Sequence, residues 1–210
     1  QPTQKTTLKK AETRQRILDA AHRVVETDGF RGVAMLKVAE AAGVSSGSLY
    51  RYFASKTELC SEVFTHATRK ELEQVSQALQ AYQHPGQQFS KAIECFARRA
   101  LKGRILAWAL IAEPVDPVVE QDRLQYRQAY AELFEQAINT GIQSRLLPEQ
   151  NARVCAAALV GVMAETLVGP LAPDGEQLST PERDQLINTV QTFCLQAIAC
   201  PLQTGEYNAE

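Results

Sequence analysis

Histidine and closely spaced cysteine are scarce in this chain of 210 residues, and both scarcities limit its chemistry. The three histidines, His22, His66 and His84, lie far apart, and none has a histidine partner one helical turn away. The five cysteines are odd in number and form no C-x-x-C pair. Zinc sites use closely spaced ligands, and disulfide frameworks use even sets of cysteines. The sequence therefore predicts no metal site, no cofactor, and a reducing compartment such as the cytoplasm.

Long apolar runs and strand-like alternation are missing as well. We find no apolar run that approaches the roughly 20 residues needed to span a bilayer. The start of the chain, QPTQKTTLKK, lacks the apolar segment of a secretion signal. No stretch alternates apolar and polar residues in the manner of a half-buried strand. The sequence thus predicts a cytoplasmic, all-α protein with no membrane partner.

The sequence also lacks the groups of residues that are typical of catalytic sites. The sequence offers no Ser/His/Asp arrangement, no phosphate-binding loop and no pair of carboxylates on one helix face. We therefore expect that the protein is not an enzyme. An all-α enzyme is kept as the weakest alternative function.

The charge of the chain is unevenly distributed, although its formal net charge is only −2. Residues 1–60 contain ten Lys or Arg and six Asp or Glu, whereas the remainder contains twelve and eighteen. A basic head on an acidic body fits a DNA-binding unit attached to a second unit.

The stretch VAMLKVAEAAGVSSGSLYRYFASK, residues 33–56, has the pattern of two short helices joined by a tight turn. Gly43 can end the first helix because glycine adopts a left-handed conformation without a Cβ penalty. Ser45 is a good N-cap for the second helix. Leu49 and Phe53 then lie one turn apart on the same face, which we expect to be buried.

The opposite face of the second helix is small and polar. Gly47, Ser48 and Arg51 point away from the buried face, and Tyr50 and Tyr52 flank them. A short helix of this kind suits entry into a DNA major groove. The predicted DNA-contacting residues, including phosphate contacts on the adjacent helices, are Lys37, Ser45, Ser46, Gly47, Ser48, Tyr50, Arg51, Tyr52 and Lys56.

The segment AGVSSGSLYRYFASKTEL, Ala42 to Leu59, resembles the helix-turn-helix signature of the TetR family of transcriptional regulators. The matching positions are Gly43, Val44, Ser45, Gly47, Leu49, Tyr50, Tyr52, Phe53, Ser55, Lys56 and Leu59. The resemblance covers the first 60 residues closely, and the rest only through length and helical pattern. It implies a ligand-responsive DNA-binding regulator, most often a repressor that a small-molecule effector releases from a palindromic operator.

One departure from the family pattern concerns the start of the first helix of this pair. Members of the family have a Thr cap and polar residues there, whereas this chain has Ala34, Met35 and Leu36. Base reading by that helix is therefore in question, and Lys37 is its best phosphate contact. A helical interaction protein that keeps the reading-head shape without binding DNA is the second alternative function.

Caps and apolar stripes predict about nine helices and two domains. The domains are residues 1–55, which would bind DNA, and 56–210, which would bind an effector and dimerise. The predicted helices cover residues 11–28, 35–42, 46–53, 56–82, 88–101, 105–112, 117 to beyond 138, 149–168 and 180–199. The polar residues before the first helix, with Lys5, Lys9 and Lys10, would form an arm along DNA or a solvated tail.

The resemblance also implies an effector pocket and a homodimer. Aromatic residues of the middle helices are the expected pocket lining, namely Phe96, Trp108, Tyr126, Tyr130 and Phe134. The last two helices carry small and apolar residues that allow close approach to a second copy. The expected dimer contacts are Ala157, Gly161, Ala164, Val190, Phe193 and Ala197.

Overall fold

The computed structural model describes residues 4–199, and side chains from residue 8 to residue 198. Within this range the chain forms nine α-helices, one 3-10 turn and no strand, which confirms the predicted all-α fold. The elements are α1 (Gln4–Asp28), the 3-10 turn (Phe30–Gly32), α2 (Met35–Ala41), α3 (Ser46–Leu49), α4 (Lys56–Gln80), α5 (Pro85–Lys102), α6 (Arg104–Ile111), α7 (Pro117–Gln143), α8 (Ala152–Leu171) and α9 (Thr180–Ala199).

Three helix starts differ from the sequence prediction. Helix α1 begins at Gln4, so Lys9 and Lys10 are exposed helical residues, while the side chain of Lys5 lies outside the described residues. Helix α5 begins at Pro85, because the ring of His84 accepts a hydrogen bond from the N–H of Gly86 at 3.2 Å. Helix α5 thus starts three residues before the predicted position, at a capped end.

The third difference is the start of α8, which begins at Ala152 and not at residue 149. The Asn151 side chain accepts a hydrogen bond from the N–H of Val154 at 3.2 Å and acts as the N-cap. Asparagine is one of the preferred N-cap residues, so α8 begins directly after Asn151 and not directly after Pro148.

The first core lies beneath the helix-turn-helix pair. Ile17, Val38, Leu49 and Phe53 are fully buried there. Leu59 and Phe64 of α4 belong to the same cluster, as do single residues of α6 and α7. The first turns of α4 therefore share the core of the head. The proposed division between residues 55 and 56 falls at the start of a helix that both units use.

A second core joins α4, α5, α7, α8 and α9. Its centre is Phe89 stacked on Phe134, with ring centroids 5.9 Å apart. A third, smaller cluster joins α5, α6, α8 and α9 around Leu101, Leu167 and Ile187. The body is thus a bundle in which α5 and α8 contact most of the other helices.

Helix α8 is long and apolar enough, by length and composition alone, to cross a membrane. The sequence prediction that no apolar run approaches such a length is therefore wrong for this helix. Its inner face, which includes Leu159 and Met163, packs in the body core. Its outer face carries small residues, including Ala157 and Gly161, and only two charged side chains, Arg153 and Glu165.

Candidate functional site

The turn between α2 and α3 has the predicted geometry. Gly43 has a φ of +64°, and the N–H of Val44 donates to the carbonyl of Ala39 at 3.0 Å. The hydroxyl of Ser45 accepts a hydrogen bond from the N–H of Ser48 at 3.1 Å. The left-handed glycine ends α2 and the serine cap starts α3, which together confirm the predicted turn.

Helix α3 is anchored on one side and open on the other. Leu49 and Phe53 are fully buried, as predicted. The α-helical hydrogen bonds continue beyond Leu49, because the N–H of Phe53 donates to the Leu49 carbonyl at 3.1 Å. Tyr50 is 49% exposed and Arg51 is exposed, whereas Tyr52 packs partly against the head core. Tyr52 is therefore less available to a partner than its neighbours.

Gly47 lies at the centre of the open face of α3, and beside it the Arg51 guanidinium donates to the Ser48 hydroxyl at 3.4 Å. Ser46 and Ser48 are half-buried, and Gly47 is exposed. A Cβ placed on Gly47 would have no atom of the described residues within 4 Å. The fold does not require glycine at this position, so its small size is available for close approach of a partner.

A second candidate contact is the start of α4. The hydroxyl of Ser55 accepts from the N–H of Glu58 at 3.0 Å, and the Glu58 carboxylate accepts from the N–H of Ala54 at 2.6 Å. Ser55 thus forms the serine half of a capping box, whereas Glu58 binds the N–H one residue before the N-cap. Lys56 is exposed in the first turn, where the free amides and the helix dipole favour an anion.

Helix α2 differs from the family pattern as the sequence indicates. Its N-cap is Ala34, whose side chain forms no hydrogen bond. Leu36 is 61% exposed, and the predicted phosphate contact Lys37 is exposed beside it. The start of α2 therefore presents an apolar and a cationic side chain to the surroundings.

Arg14 of α1 holds the three parts of the head together. Its guanidinium lies over the ring of Phe53, 4.8 Å from the ring centroid, and it also forms an ion pair with Glu62 of α4. The contacts connect α1, the end of the α3 turn and α4, and they hold the open face of α3 in a fixed orientation.

Glu113, which follows α6, links the body to the head. It is 4% exposed, and its carboxylate accepts hydrogen bonds from the N–H groups of Phe30 at 2.9 Å and Arg31 at 3.0 Å. Gly29 has a φ of +72°, and a Cβ there would lie 2.6 Å from a Glu113 oxygen. Sequence reasoning missed this residue, because its partners lie about 80 positions away in the chain.

Arg123 of α7 fixes the end of α6. It is 6% exposed, and its guanidinium donates to the carbonyls of Ala109 at 3.1 Å, Leu110 at 3.0 Å and Glu113 at 2.7 Å. Burial lowers the pKa of Arg123, and an ion pair with Glu120 opposes that effect. A buried cation on the last carbonyls of a helix is a strong terminal cap.

A cavity of about 410 Å³ lies between the C-terminal half of α1 and helices α4 to α8. Three predicted residues line it: Phe96, Tyr126 and Tyr130. Phe96 packs edge-to-face on Tyr130, with ring centroids 5.8 Å apart. The hydroxyl of Tyr126 donates to the carbonyl of Thr65 at 3.1 Å. These contacts hold the aromatic part of the wall in place.

The structure corrects two members of the predicted lining. Trp108 does not line this cavity, because α6 turns Leu106, Ala107 and Leu110 toward it and Trp108 toward the third core cluster. Phe134 does not line it either, because that ring stacks on Phe89 in the second core.

The cavity wall also carries charged and polar side chains. Glu71 and Arg99 form a two-pronged ion pair at 2.5 and 2.7 Å, which raises the pKa of Arg99. Lys70, Lys102 and Arg127 are exposed lining residues. The remaining groups are Glu26, His22, Arg123 and the buried Thr68. Burial lowers the pKa of His22, so its neutral form is favoured.

The predicted dimer residues fall into two groups. Ala157 and Gly161 on α8, and Phe193 and Ala197 on α9, are exposed, with Phe193 at 57%. Two others point inward and correct the prediction. Ala164 lines the cavity, and Val190 is buried at 5% exposure in the body core.

A helix-turn-helix head on an all-helical body with an internal cavity defines the structural class of this protein. Residues 17–63 match the family model described as bacterial regulatory proteins, tetR family. Over these residues the head of this chain is similar to the heads of TetR-family regulators.

The chain is also similar to individual known proteins. An HTH-type transcriptional regulator of Staphylococcus aureus is 39% identical over 49 residues, which cover 23% of this chain and 26% of that protein. The fold of the transcriptional regulator FadR from Bacillus subtilis, solved in complex with stearoyl-CoA, matches with a TM-score of 0.74 at 20% identity, over 88% of this chain and 98% of that one.

A second fold match is a regulator of the TetR/AcrR family from Thermobifida fusca, with a TM-score of 0.66 at 18% identity, over 88% of this chain and 97% of that one. The regulator from Staphylococcus aureus thus matches about a quarter of this chain, whereas similarity of fold extends over most of it.

Proposed function

We propose that this protein is a ligand-responsive transcriptional regulator that binds double-stranded DNA as a homodimer. Its proposed action is repression, because regulators of the kind it resembles are most often repressors. The open face of α3 carries this proposal. Gly47, Ser48, Tyr50 and Arg51 lie on the outside of a helix whose other face is fully buried in the head core. A rigid helix with small and hydrogen-bonding side chains can enter the major groove and contact base edges.

Contacts with the DNA backbone would come from the elements on either side of α3. Lys37 on α2 and Lys56 at the capped start of α4 are exposed cations, and Ser45 and Ser46 open α3 between them. Phosphate contacts of this kind set the position of a reading helix and supply most of the affinity that depends on salt.

The proposed homodimer would form through the outer faces of α8 and α9. Ala157, Gly161, Phe193 and Ala197 are exposed apolar or small residues on these two helices. Only 28% of the most apolar stretch of α8 is buried within the subunit. A two-fold dimer would place two copies of α3 on successive half-sites of a palindromic operator.

The cavity is the proposed effector site. Its volume of about 410 Å³ falls within the range of small-molecule sites, about 300–1,000 Å³. FadR from Bacillus subtilis, which shares the fold, was solved in complex with stearoyl-CoA. An effector in this chain would act by stabilising one of two positions of the head relative to the body.

Arg123 and Glu113 form the proposed connection between the cavity and the head. Arg123 lines the cavity and holds the end of α6, and Glu113 extends from that end to the N–H groups of Phe30 and Arg31. A ligand that moves Arg123 would therefore move the anchor of the head. The head shifts only if the ligand binds more tightly when the head is in one of its two positions relative to the body.

The alternative is an interaction protein whose head contacts a protein instead of DNA. The exposed Leu36 at the start of α2 is the observation that favours it. A salt titration of binding to duplex DNA distinguishes the two functions. A regulator that contacts several phosphates loses affinity steeply and linearly on a log–log plot. Absence of DNA binding at low salt would instead support the interaction protein.

A further inference from the structure

A buried hydroxyl on the cavity wall has no hydrogen-bond partner in the part of the chain that the structure describes. Thr68 is 6% exposed, lies on α4 between Phe64 and Glu71, and lines the cavity with both of them. Buried polar groups are almost always hydrogen-bonded, and leaving one unbonded costs free energy. The hydroxyl is closed off from water in this structure, and a rotation of the Thr68 side chain would turn it toward a ligand in the cavity that could satisfy it.

Lys102 lies at the same level of the cavity as Thr68. Helices α4 and α5 are joined by a short connection and run antiparallel, and the Glu71–Arg99 ion pair sets their register. Lys102 lies one turn after Arg99 on α5, and Thr68 lies one turn before Glu71 on α4. Because the helices are antiparallel, both steps lead in the same direction. Lys102 forms no ion pair with any described residue.

The charges of the cavity favour an anion. Glu71 and Arg99 neutralise each other through their paired hydrogen bonds. The exposed charged groups left on the wall are three cations and one carboxylate, namely Lys70, Lys102, Arg127 and Glu26. An anion placed beside Lys102 would thus meet a net positive field.

Apart from His22 and Arg123, the rest of the wall is mainly apolar. We call the part lined by the following side chains the inner chamber: Phe96, Leu106, Ala107, Tyr130, Val160 and Met163. Burial raises the pKa of the Tyr130 hydroxyl, so this group stays neutral. An apolar ligand body would gain free energy by leaving water for this chamber.

We propose that the cavity binds an amphipathic carboxylate. Its carboxylate accepts a hydrogen bond from the Thr68 hydroxyl and faces the Lys102 ammonium group, and its apolar body fills the inner chamber. The proposal rests on the proposed function, since it names the chemical class of the effector. It requires that a neutral or cationic head group of the same length binds more weakly.

Three probes with the same alkyl chain test the head group: decanoate, decanol and decylamine. Calorimetric titration of the full chain should show one decanoate per chain, bound about tenfold or more tightly than decanol, with decylamine weaker still. A phenylbutyrate and phenylbutanol pair repeats the comparison with an aromatic body. Equal affinities within both pairs, or no carboxylate binding in either, would overturn the proposal.

Two variants test the assigned contacts. Thr68→Val keeps the shape of the side chain, so it should lower decanoate affinity about tenfold, leave decanol affinity unchanged, and leave the unfolding midpoint unchanged or higher. Lys102→Gln should lower the affinity for decanoate and leave the affinity for decanol unchanged. The matched control is Lys91→Gln, since Lys91 is exposed on the same helix and pairs with Glu94. Decanoate binding by Thr68→Val at wild-type affinity would contradict the assignment.

DNA binding by the same preparation separates this inference from the proposed function. Salt-dependent DNA binding without carboxylate binding would overturn the ligand class and leave the DNA-binding function in place. Carboxylate binding that depends on Thr68, in a protein that binds no DNA, would support the ligand site and overturn the proposed function.

Discussion

The carboxylate of Glu113 accepts a hydrogen bond from the backbone N–H of Phe30 at 2.9 Å, although the two residues are 83 positions apart in the chain. The other oxygen of the same carboxylate accepts from Arg31 at 3.0 Å. The helix-turn-helix head is thereby attached to the end of α6, which borders the cavity. This attachment is a hydrogen-bonded connection between the two candidate sites.

Glu113→Gln should weaken this attachment. A glutamine side chain has one carbonyl oxygen, so its NH₂ group would face one of the two N–H donors and leave it unsatisfied. We expect the free energy of unfolding to fall by about 1–3 kcal/mol. Hydrogen exchange at Phe30 and Arg31 should accelerate more than exchange at Leu49. The control is Glu40→Gln, on the exposed side of α2, and exchange equal to that of the wild type at Phe30 would refute the role.

Gly47→Ala tests whether glycine is needed at this position for folding or for DNA binding. A methyl group at this position meets no described atom within 4 Å, so stability should be unchanged or raised by up to about 1 kcal/mol. The same methyl group would intrude on a closely fitted groove, and DNA affinity should fall by about 1–3 kcal/mol.

The comparison for this variant is Gly43→Ala. Gly43 has a φ of +64°, so an alanine there should cost about 1–2 kcal/mol of stability through backbone strain. Chemical denaturation measures the stability of both variants, and fluorescence anisotropy measures their affinity for DNA. If Gly47→Ala binds DNA as tightly as the wild type, α3 does not approach the groove at this residue.

Lys56→Ala should weaken binding to all DNA sequences alike. Lys56 is exposed at the capped start of α4, where a phosphate would meet both its ammonium group and the free helix amides. Removal of one phosphate contact lowers the slope of log affinity against log salt by about one. Lys91→Ala is the control far from the head. An effect confined to one sequence would assign Lys56 to base reading instead.

Ala157→Glu should disrupt the proposed dimer. Ala157 is exposed on the apolar outer face of α8, one turn before Gly161, so a carboxylate there would be buried unpaired at a two-fold contact. Analytical ultracentrifugation should show monomers and loss of operator binding. The matched control is Ala81→Glu, at the end of α4. If the variant sediments like the wild type, another surface forms the dimer.

Local signals explain why the head could be predicted from the sequence. Gly43, Ser45 and the Ser55 cap each act through hydrogen bonds that span five residues or fewer. The amphipathic spacing of Leu49 and Phe53 then sets which face of α3 is buried. These features do not depend on the rest of the chain, so the turn and its exposed face follow from a short segment.

The cavity and its link to the head depend on packing between distant segments. Helix α6 reads RILAWALI and has no polar face, so its own sequence does not determine which residues face the cavity. The sequence predicts Trp108 in the cavity lining because it is aromatic, whereas its side chain packs against the third core cluster. Likewise, Thr68 and Glu113 acquire their roles only when α4, α6 and the head meet.

The most direct test of the central claim is selection of bound sites from random duplex DNA by the full chain. We predict an enriched motif made of two half-sites related by two-fold symmetry and spaced by about one helical turn or more. Arg51→Ala should relax the preference at one position of each half-site, at a cost of about 1–3 kcal/mol. Failure of the wild-type protein to enrich any motif, with affinity independent of salt, would contradict the account.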